Sequence, residues 1–301
     1  MLDYGKVFPK SIPSLWERHP VLGWLRDTAS ATYYGLAARK LTQPLRALSP
    51  SCLPVVIINF NRLEALAQLV AWLQTLGPPC TIFILDNNST YAPLLGYYEQ
   101  LRQSGVVVLS LPTNGGTRSV LQVAAALRRF EKYIVTDGDL VPYATTPADI
   151  LQKMATTLDH YPAYNHVGVS LEIEDLPAHY PLRDVVQAWE AKFWQQPLGA
   201  DVYEAGVDTT FAMYRGTSNL RRIVPGLRLA RPYTLQHVDW YINPAALTDE
   251  YRFYLRTCSA VATWSTKLRG TLQCPRAPRA APQIPRPAPA GAALPDKTSR
   301  W

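Results

Sequence analysis

The sequence predicts an α/β protein built on a parallel, doubly wound sheet. Three observations carry that prediction. Between Pro54 and Thr136, short unbroken apolar runs of strand length alternate with segments whose leucines recur at helical spacing. Strand and helix follow one another at steps of about 25 residues, the spacing of βα units rather than of hairpins. Each apolar run ends in a cluster of polar residues, where a sheet of this kind places its ligands.

Pro54–Phe60 (PVVIINF) is apolar throughout, as a strand buried on both faces must be. Asn61 can cap the segment that follows, where Leu63, Leu66, Leu69, Val70, Leu73 and Leu76 form one helical stripe, stopped by Gly77-Pro78-Pro79. Thr81–Leu85 is the second strand, and Ala92–Gln103 a helix ending near Gly105. Val106–Leu111 is the third strand, Ser119–Arg129 a further helix, and Tyr133–Thr136 the fourth strand. Beyond it, Val167–Ile173 reads as a strand, and Gly206–Tyr214 as another entered through Asp208.

The 301 residues suffice for one large domain or two small ones. A hydrophobic content of 48% with 18% charged residues excludes a mostly disordered chain. The four cysteines show no CxxC spacing, which argues against a disulfide framework or a cysteine zinc site and favours a reducing compartment. The net charge of +7 is concentrated at the ends. Residues 1–50 carry seven Lys/Arg against three Asp/Glu and residues 275–301 five against one, so residues 51–274 are close to neutral. A nucleic-acid-binding body would be basic, and this one is not.

Residues 1–50 are expected to be a helical extension whose basic and aromatic residues suit either packing on the main domain or peripheral contact with an anionic membrane surface. Residues 275–301, with seven Pro and seven Ala, are expected to be a disordered tail. No apolar run reaches the roughly 18 residues needed to span a bilayer, and the N-terminus lacks a secretory pattern. The expectation is a cytoplasmic protein.

Chemistry is expected at the strand ends. The first strand closes on Asn59-Phe60-Asn61-Arg62, the second on Asp86-Asn87-Asn88-Ser89, the third on Asn114-Gly115-Gly116-Thr117-Arg118 and the fourth on Asp137-Gly138-Asp139. Two carboxylates flanking a glycine can approach one hard cation such as Mg²⁺ or Mn²⁺, although Asp-Gly-Asp is also ordinary turn chemistry. Asp86 can accept hydrogen bonds from a ribose or base, or cap the segment after it. Trp189, Trp194, Trp240 and Trp264 can stack on sugar rings or fill the core.

Taken in order, these four motifs resemble the GT-A glycosyltransferases, the nucleotide-diphospho-sugar transferases, above all their broad family 2. The resemblance covers roughly residues 54–142. It implies a Rossmann-like three-layer α/β/α domain with a mostly parallel sheet over residues 51–274, with a nucleotide-binding half at 51–142 and an acceptor half at 143–274. The implied activity is transfer of a sugar, of the hexosyl type, from a UDP- or GDP-sugar to a hydroxyl on a glycan or lipid-linked acceptor, with inversion and with Mn²⁺ or Mg²⁺. The implied nucleotide-sugar contacts are Asn59, Asn61, Arg62, Asp86, Asn88, Asn114, Gly115, Arg118, Asp137 and Gly138. Asp137, Asp139 and His237 are the implied metal ligands.

Inversion needs one carboxylate as base, and Asp208 and then Asp239 are the candidates, with Asp175 and Glu190 behind them. Two other readings stay open. A sugar nucleotidyltransferase carries a loop like Gly115-Gly116-Thr117-Arg118, but after its first strand rather than its third. A nucleotide- or glycan-binding module without activity would not need both aspartates of the Asp137–Asp139 pair.

Overall fold

The computed structural model describes residues 41–76, 80–207, 210–220, 224–258 and 263–271. Most of the expected N-terminal extension, the expected C-terminal tail and Asp208 lie outside the described residues.

The chain enters through helix α1 (residues 41–47) and then runs β1 (Pro54–Asn59), α2 (Glu64–Thr75), β2 (Thr81–Asp86), α3 (Ala92–Gln103) and β3 (Val107–Ser110). A 3₁₀ segment (Gly116–Gln122), the short helix α4 (Ala124–Leu127) and β4 (Lys132–Asp137) complete the first half. All six residues of β1 are buried because both of its faces are covered. Val55 and Ile57 point to the side packed by α2 and α3. Val56 and Ile58 point to the opposite side, against Leu45 of α1 and Leu127 of α4. The neighbouring strands divide in the same way, so that Ile82, Ile84 and Ile134 face one layer and Phe83, Leu85 and Val135 the other. This is a three-layer α/β/α arrangement.

The regular helix expected at Ser119–Arg129 is replaced by the 3₁₀ segment and one turn of α4. Gly116 takes φ +59°, and the Ser119 hydroxyl donates to the Gly116 carbonyl. That local bond competes with an α-helical start and tightens the turn.

The second half comprises β5 (Leu140–Pro142), α5 (Ile150–His160), β6 (His166–Leu171), α6 (Arg183–Glu190), β7 (Val202–Ala205), β8 (Ala212–Arg215), β9 (Gly226–His237), α7 (Asp249–Thr257) and α8 (Thr263–Thr271). The strands form one sheet in the order β3-β2-β1-β4-β8-β6-β9-β5, with β7 also on β9. The sheet is parallel from β3 to β4, but β8 runs antiparallel to both β4 and β6. β9 is parallel to β6, while β5 and β7 are antiparallel to β9. The expectation of a mostly parallel sheet therefore holds for the first half only. After β4 the chain turns at once into β5 instead of crossing over through a helix. The free edge of β4 is then taken by β8, arriving from the opposite direction.

Candidate active site

Register decides which strand ends meet. Asn59 of β1 lies opposite Asp86 of β2, and Ile58 lies opposite Asp137 of β4. The Gly138 amide donates to the Ile58 carbonyl at 2.9 Å, carrying the ladder one step beyond β4. A Cβ at Gly138 would stand 2.6 Å from Asn59 Oδ1, so any larger residue there would displace the Asn59 amide, whose Nδ2 is held by the Arg62 carbonyl and the Tyr98 hydroxyl. On the far edge β5 pairs with β9 so that Leu140 faces His237, and the Val238 amide donates to the Asp139 carbonyl at 3.0 Å. The Asp137–Asp139 turn is thus fixed from both sides.

These ends open on a cleft of about 1430 Å³. Among the sequence-predicted residues, Asn59, Arg62, Asn114, Arg118, Asp137, Gly138, Asp139, His237 and Asp239 line it. Asn61, Asp86, Asn88 and Gly115 do not, and for most of them the reason is visible. Asn61, at φ +53°, is buried, and its side chain accepts from the Thr90 and Tyr91 amides and donates to Thr257. The buried Asp86 carboxylate accepts from the Ser89 amide and from the Tyr98 hydroxyl at 3.0 Å. The Tyr98 hydroxyl in turn accepts from Asn59 Nδ2 at 2.9 Å. The turn-capping alternative weighed for Asp86 is the geometry found. Asn88, at φ +63°, is exposed at the loop tip. The Gly115 amide is held by Asn87 Oδ1 at 3.2 Å. Asn87, which sequence reasoning passed over, lines the cleft and also donates to the Gly116 carbonyl.

Arg62 and Asp239 pair with each other. Arg62 Nη1 stands 2.6 Å from Asp239 Oδ1, and both side chains are almost fully buried. Ser265 of α8 donates to the other Asp239 oxygen. The guanidinium lies between the rings of Tyr251 and Tyr254, 5.0 and 4.7 Å from their centroids. Burial works against the charge on Arg62, but Asp239 and Asp139 outweigh it and hold its pKa above normal. Burial alone would raise the Asp239 pKa, yet Arg62, His237 and Ser265 keep it below the usual carboxylate range. Both residues line the cleft, and their pairing makes Asp239 a less available proton acceptor than an unpaired carboxylate.

Asp139 stands differently. Its Oδ2 is 3.8 Å from His237 Nε2, while its Oδ1 is buried with no hydrogen-bond partner among the described residues. His237 stacks on Trp240 with centroids 4.8 Å apart, and its Nδ1 is likewise without a partner there. Buried polar atoms are rarely left so. An oxygen and a ring nitrogen of this kind suit a divalent cation, although no group of three His, Cys, Asp or Glu among the described residues could enclose one. Mg²⁺ and Mn²⁺ commonly take one or two protein ligands and complete their shells with water and substrate phosphate.

Of the remaining acids, Glu190 is buried and paired with Arg228 at 2.8 Å, its pKa raised by burial against the pull of Arg228. Asp175 accepts from the Tyr143 and Tyr241 hydroxyls away from the cleft. Among the four tryptophans, Trp240 is buried against Trp264, and Trp194 meets Tyr203 edge-on. Trp189 is 51% exposed on the cleft wall, beside Phe193.

Glu250 of α7 performs a task that no local signal announces. Helix α2 has no capping side chain of its own, and Glu250 Oε2 accepts from the Leu63 and Glu64 amides, each at 3.0 Å. Glu250→Ala would strand two amides at a helix start and is expected to lower stability by about 1–3 kcal/mol, with Glu250→Gln losing less because its amide oxygen still accepts. Urea unfolding of both variants measures this; two variants as stable as the parent would show that water caps α2 equally well.

No family model matches the sequence, and no curated protein does. Several solved structures are similar to it. S. aureus TarS 1-349 shares 16% identity over 55% of this chain and 47% of its own, with a TM-score of 0.36. The mannosyltransferase PcManGT from Pyrobaculum calidifontis, in complex with GDP-Man and Mn²⁺, shares 17% over 62% of this chain and 52% of its own, at 0.36. Glucosyl-3-phosphoglycerate synthase from Mycobacterium tuberculosis, with Mn²⁺, UDP-Glc and phosphoglyceric acid, shares 14% over 60% of each chain, at 0.35. The chain spans about half to three-fifths of the length of these structures.

Proposed function

We propose that the protein is a metal-dependent glycosyltransferase, moving a sugar from a nucleotide-diphosphate donor to a hydroxyl acceptor with inversion. The observation that carries this reading is the buried, unpartnered Asp139 oxygen beside His237, at the end of β4 and inside the cleft. It joins the ordered motifs of the first half to a site able to hold a cation against a diphosphate. Asp139 and His237, with Asp137, are the residues that would hold Mn²⁺ or Mg²⁺. The cation would offset the charge that develops on the departing diphosphate.

The chain's own residues supply the rest. Asn59, Asn114 and Arg118 on the cleft wall orient the donor, Arg118 by its exposed charge. Asp208 takes the acceptor proton as the hydroxyl attacks the anomeric carbon, since Asp239 is spent on Arg62. The residues flanking the undescribed pair 208–209, Val207 and Thr210, both line the cleft. Trp189, half exposed on the cleft wall with the Lys192 ammonium over one face of its ring, is available to stack on an acceptor ring with the other.

Calorimetry with UDP and with GDP, each with and without Mn²⁺, tests this reading. One nucleotide is expected to bind only, or far more tightly, with the metal. Equal affinity in its presence and absence, or no binding of either nucleotide, would overturn the proposal.

A further inference from the structure

The Arg62–Asp239 pair lies between two possible partners for one cation. Arg62 follows β1, and every group that restrains it comes from the far end of the chain. Asp239 stands 177 residues away, Tyr251 and Tyr254 lie on α7, and Ser265 of α8 holds Asp239 itself. Glu250 makes a second, longer ion pair with Arg62 Nε through Oε1 at 3.8 Å, while its Oε2 accepts from the Leu63 and Glu64 amides. Asp139 lines the same cleft as Arg62, and the amide of Val238, next to Asp239, donates to its carbonyl, while its Oδ1 remains without a partner among the described residues. Asp239 thus holds the buried arginine directly, with Glu250 as a longer second ion pair.

We propose that Asp239 is a positioning residue that holds the Arg62 guanidinium away from Asp139 and so keeps the Asp139 carboxylate open for a divalent cation. The inference rests on the metal-site reading above. Once Asp239 loses its charge, Arg62 is a buried cation whose remaining ion pair, with Glu250, is the longer one at 3.8 Å. It then either swings to Asp139 or repels a metal ion approaching that carboxylate. Both outcomes weaken metal binding, and both vanish if the arginine is removed as well. A buried pair is also better tolerated when both partners are replaced than when one is left alone.

The test is a double-mutant cycle read by calorimetry with Mn²⁺ plus UDP and Mn²⁺ plus GDP, alongside thermal melts. Asp239→Asn is expected to weaken Mn²⁺-dependent nucleotide binding by about 10–100-fold, the usual range for groups that orient metal ligands. Arg62→Met combined with Asp239→Asn is expected to restore it to near the parental value, and Arg62→Met alone to leave it intact. A double variant as weak as Asp239→Asn would mean that Asp239 itself serves the metal, and would overturn the inference. So would unchanged binding in Asp239→Asn, or loss of binding in Arg62→Met. If Asp239→Asn does not fold, the double variant, which leaves neither member of the pair alone, still decides: parental affinity supports the inference and weak affinity refutes it. If the parental protein shows no metal-dependent binding, the glycosyltransferase reading falls and takes this one with it.

Discussion

Asp208→Asn is expected to lower turnover by about 10²–10⁴-fold, the usual loss on removing a general base, while Mn²⁺-dependent nucleotide affinity stays at the parental level. The base acts on the acceptor hydroxyl and has no contact to lose with the diphosphate. Hydrolysis of the accepted nucleotide sugar, with water as acceptor, reads the same step before the natural acceptor is known. Near-normal hydrolysis by Asp208→Asn would move the base to another residue or argue for retention. Parallel loss of affinity and rate would instead make Asp208 part of the donor site.

Asp139→Ala is expected to abolish metal-dependent nucleotide binding. Groups that merely orient a metal ligand carry about 10–100-fold in affinity, so loss of the ligand itself should exceed about 100-fold. The fold should be spared, because the turn is fixed by backbone bonds from Gly138 to Ile58 and from Val238 to Asp139, which the substitution leaves in place. Calorimetry with Mn²⁺ and either nucleotide, together with a thermal melt, separates the two effects. A variant that still requires Mn²⁺ and binds within a few-fold of the parent would place the metal elsewhere.

The first half of the fold was legible because strands buried on both faces leave continuous apolar runs, and β1, β2 and β4 are such strands. The second half hides its strands better. β9 carries Arg228, Arg231 and Pro232, which read as loop chemistry. In the structure the register between β6 and β9 breaks after Val169, and Arg228 is neutralised by Glu190. The site divides in the same way. The Asp137–Asp139 turn could be recognised as a candidate from its place after an apolar strand, because it follows the strand end directly. The inward turn of Asp86 onto Tyr98 could not, since the residue that claims it sits 12 positions later on a helix face. The capture of Arg62 by Asp239 spans 177 residues and leaves no mark on either neighbourhood.

The capping of α2 by Glu250 has a further consequence for how the molecule is made. The two bonds that close the turn after β1 join residues 187 and 186 positions apart. At about 5–20 residues per second, a ribosome needs roughly 10–40 seconds to pass from Leu63 to Glu250. Throughout that interval β1 to β4 can pair locally and Asn61 can bond to Ser89, Thr90 and Tyr91, but the first amides of α2 and the Arg62 guanidinium await their partners on α7 and at Asp239. The loop that frames the cleft is therefore among the last parts of the protein to set. Its completion marks the arrival of α7 at the sheet, so a nascent chain can pair its first four strands well before it completes the candidate site and the part of the core that α7 supplies.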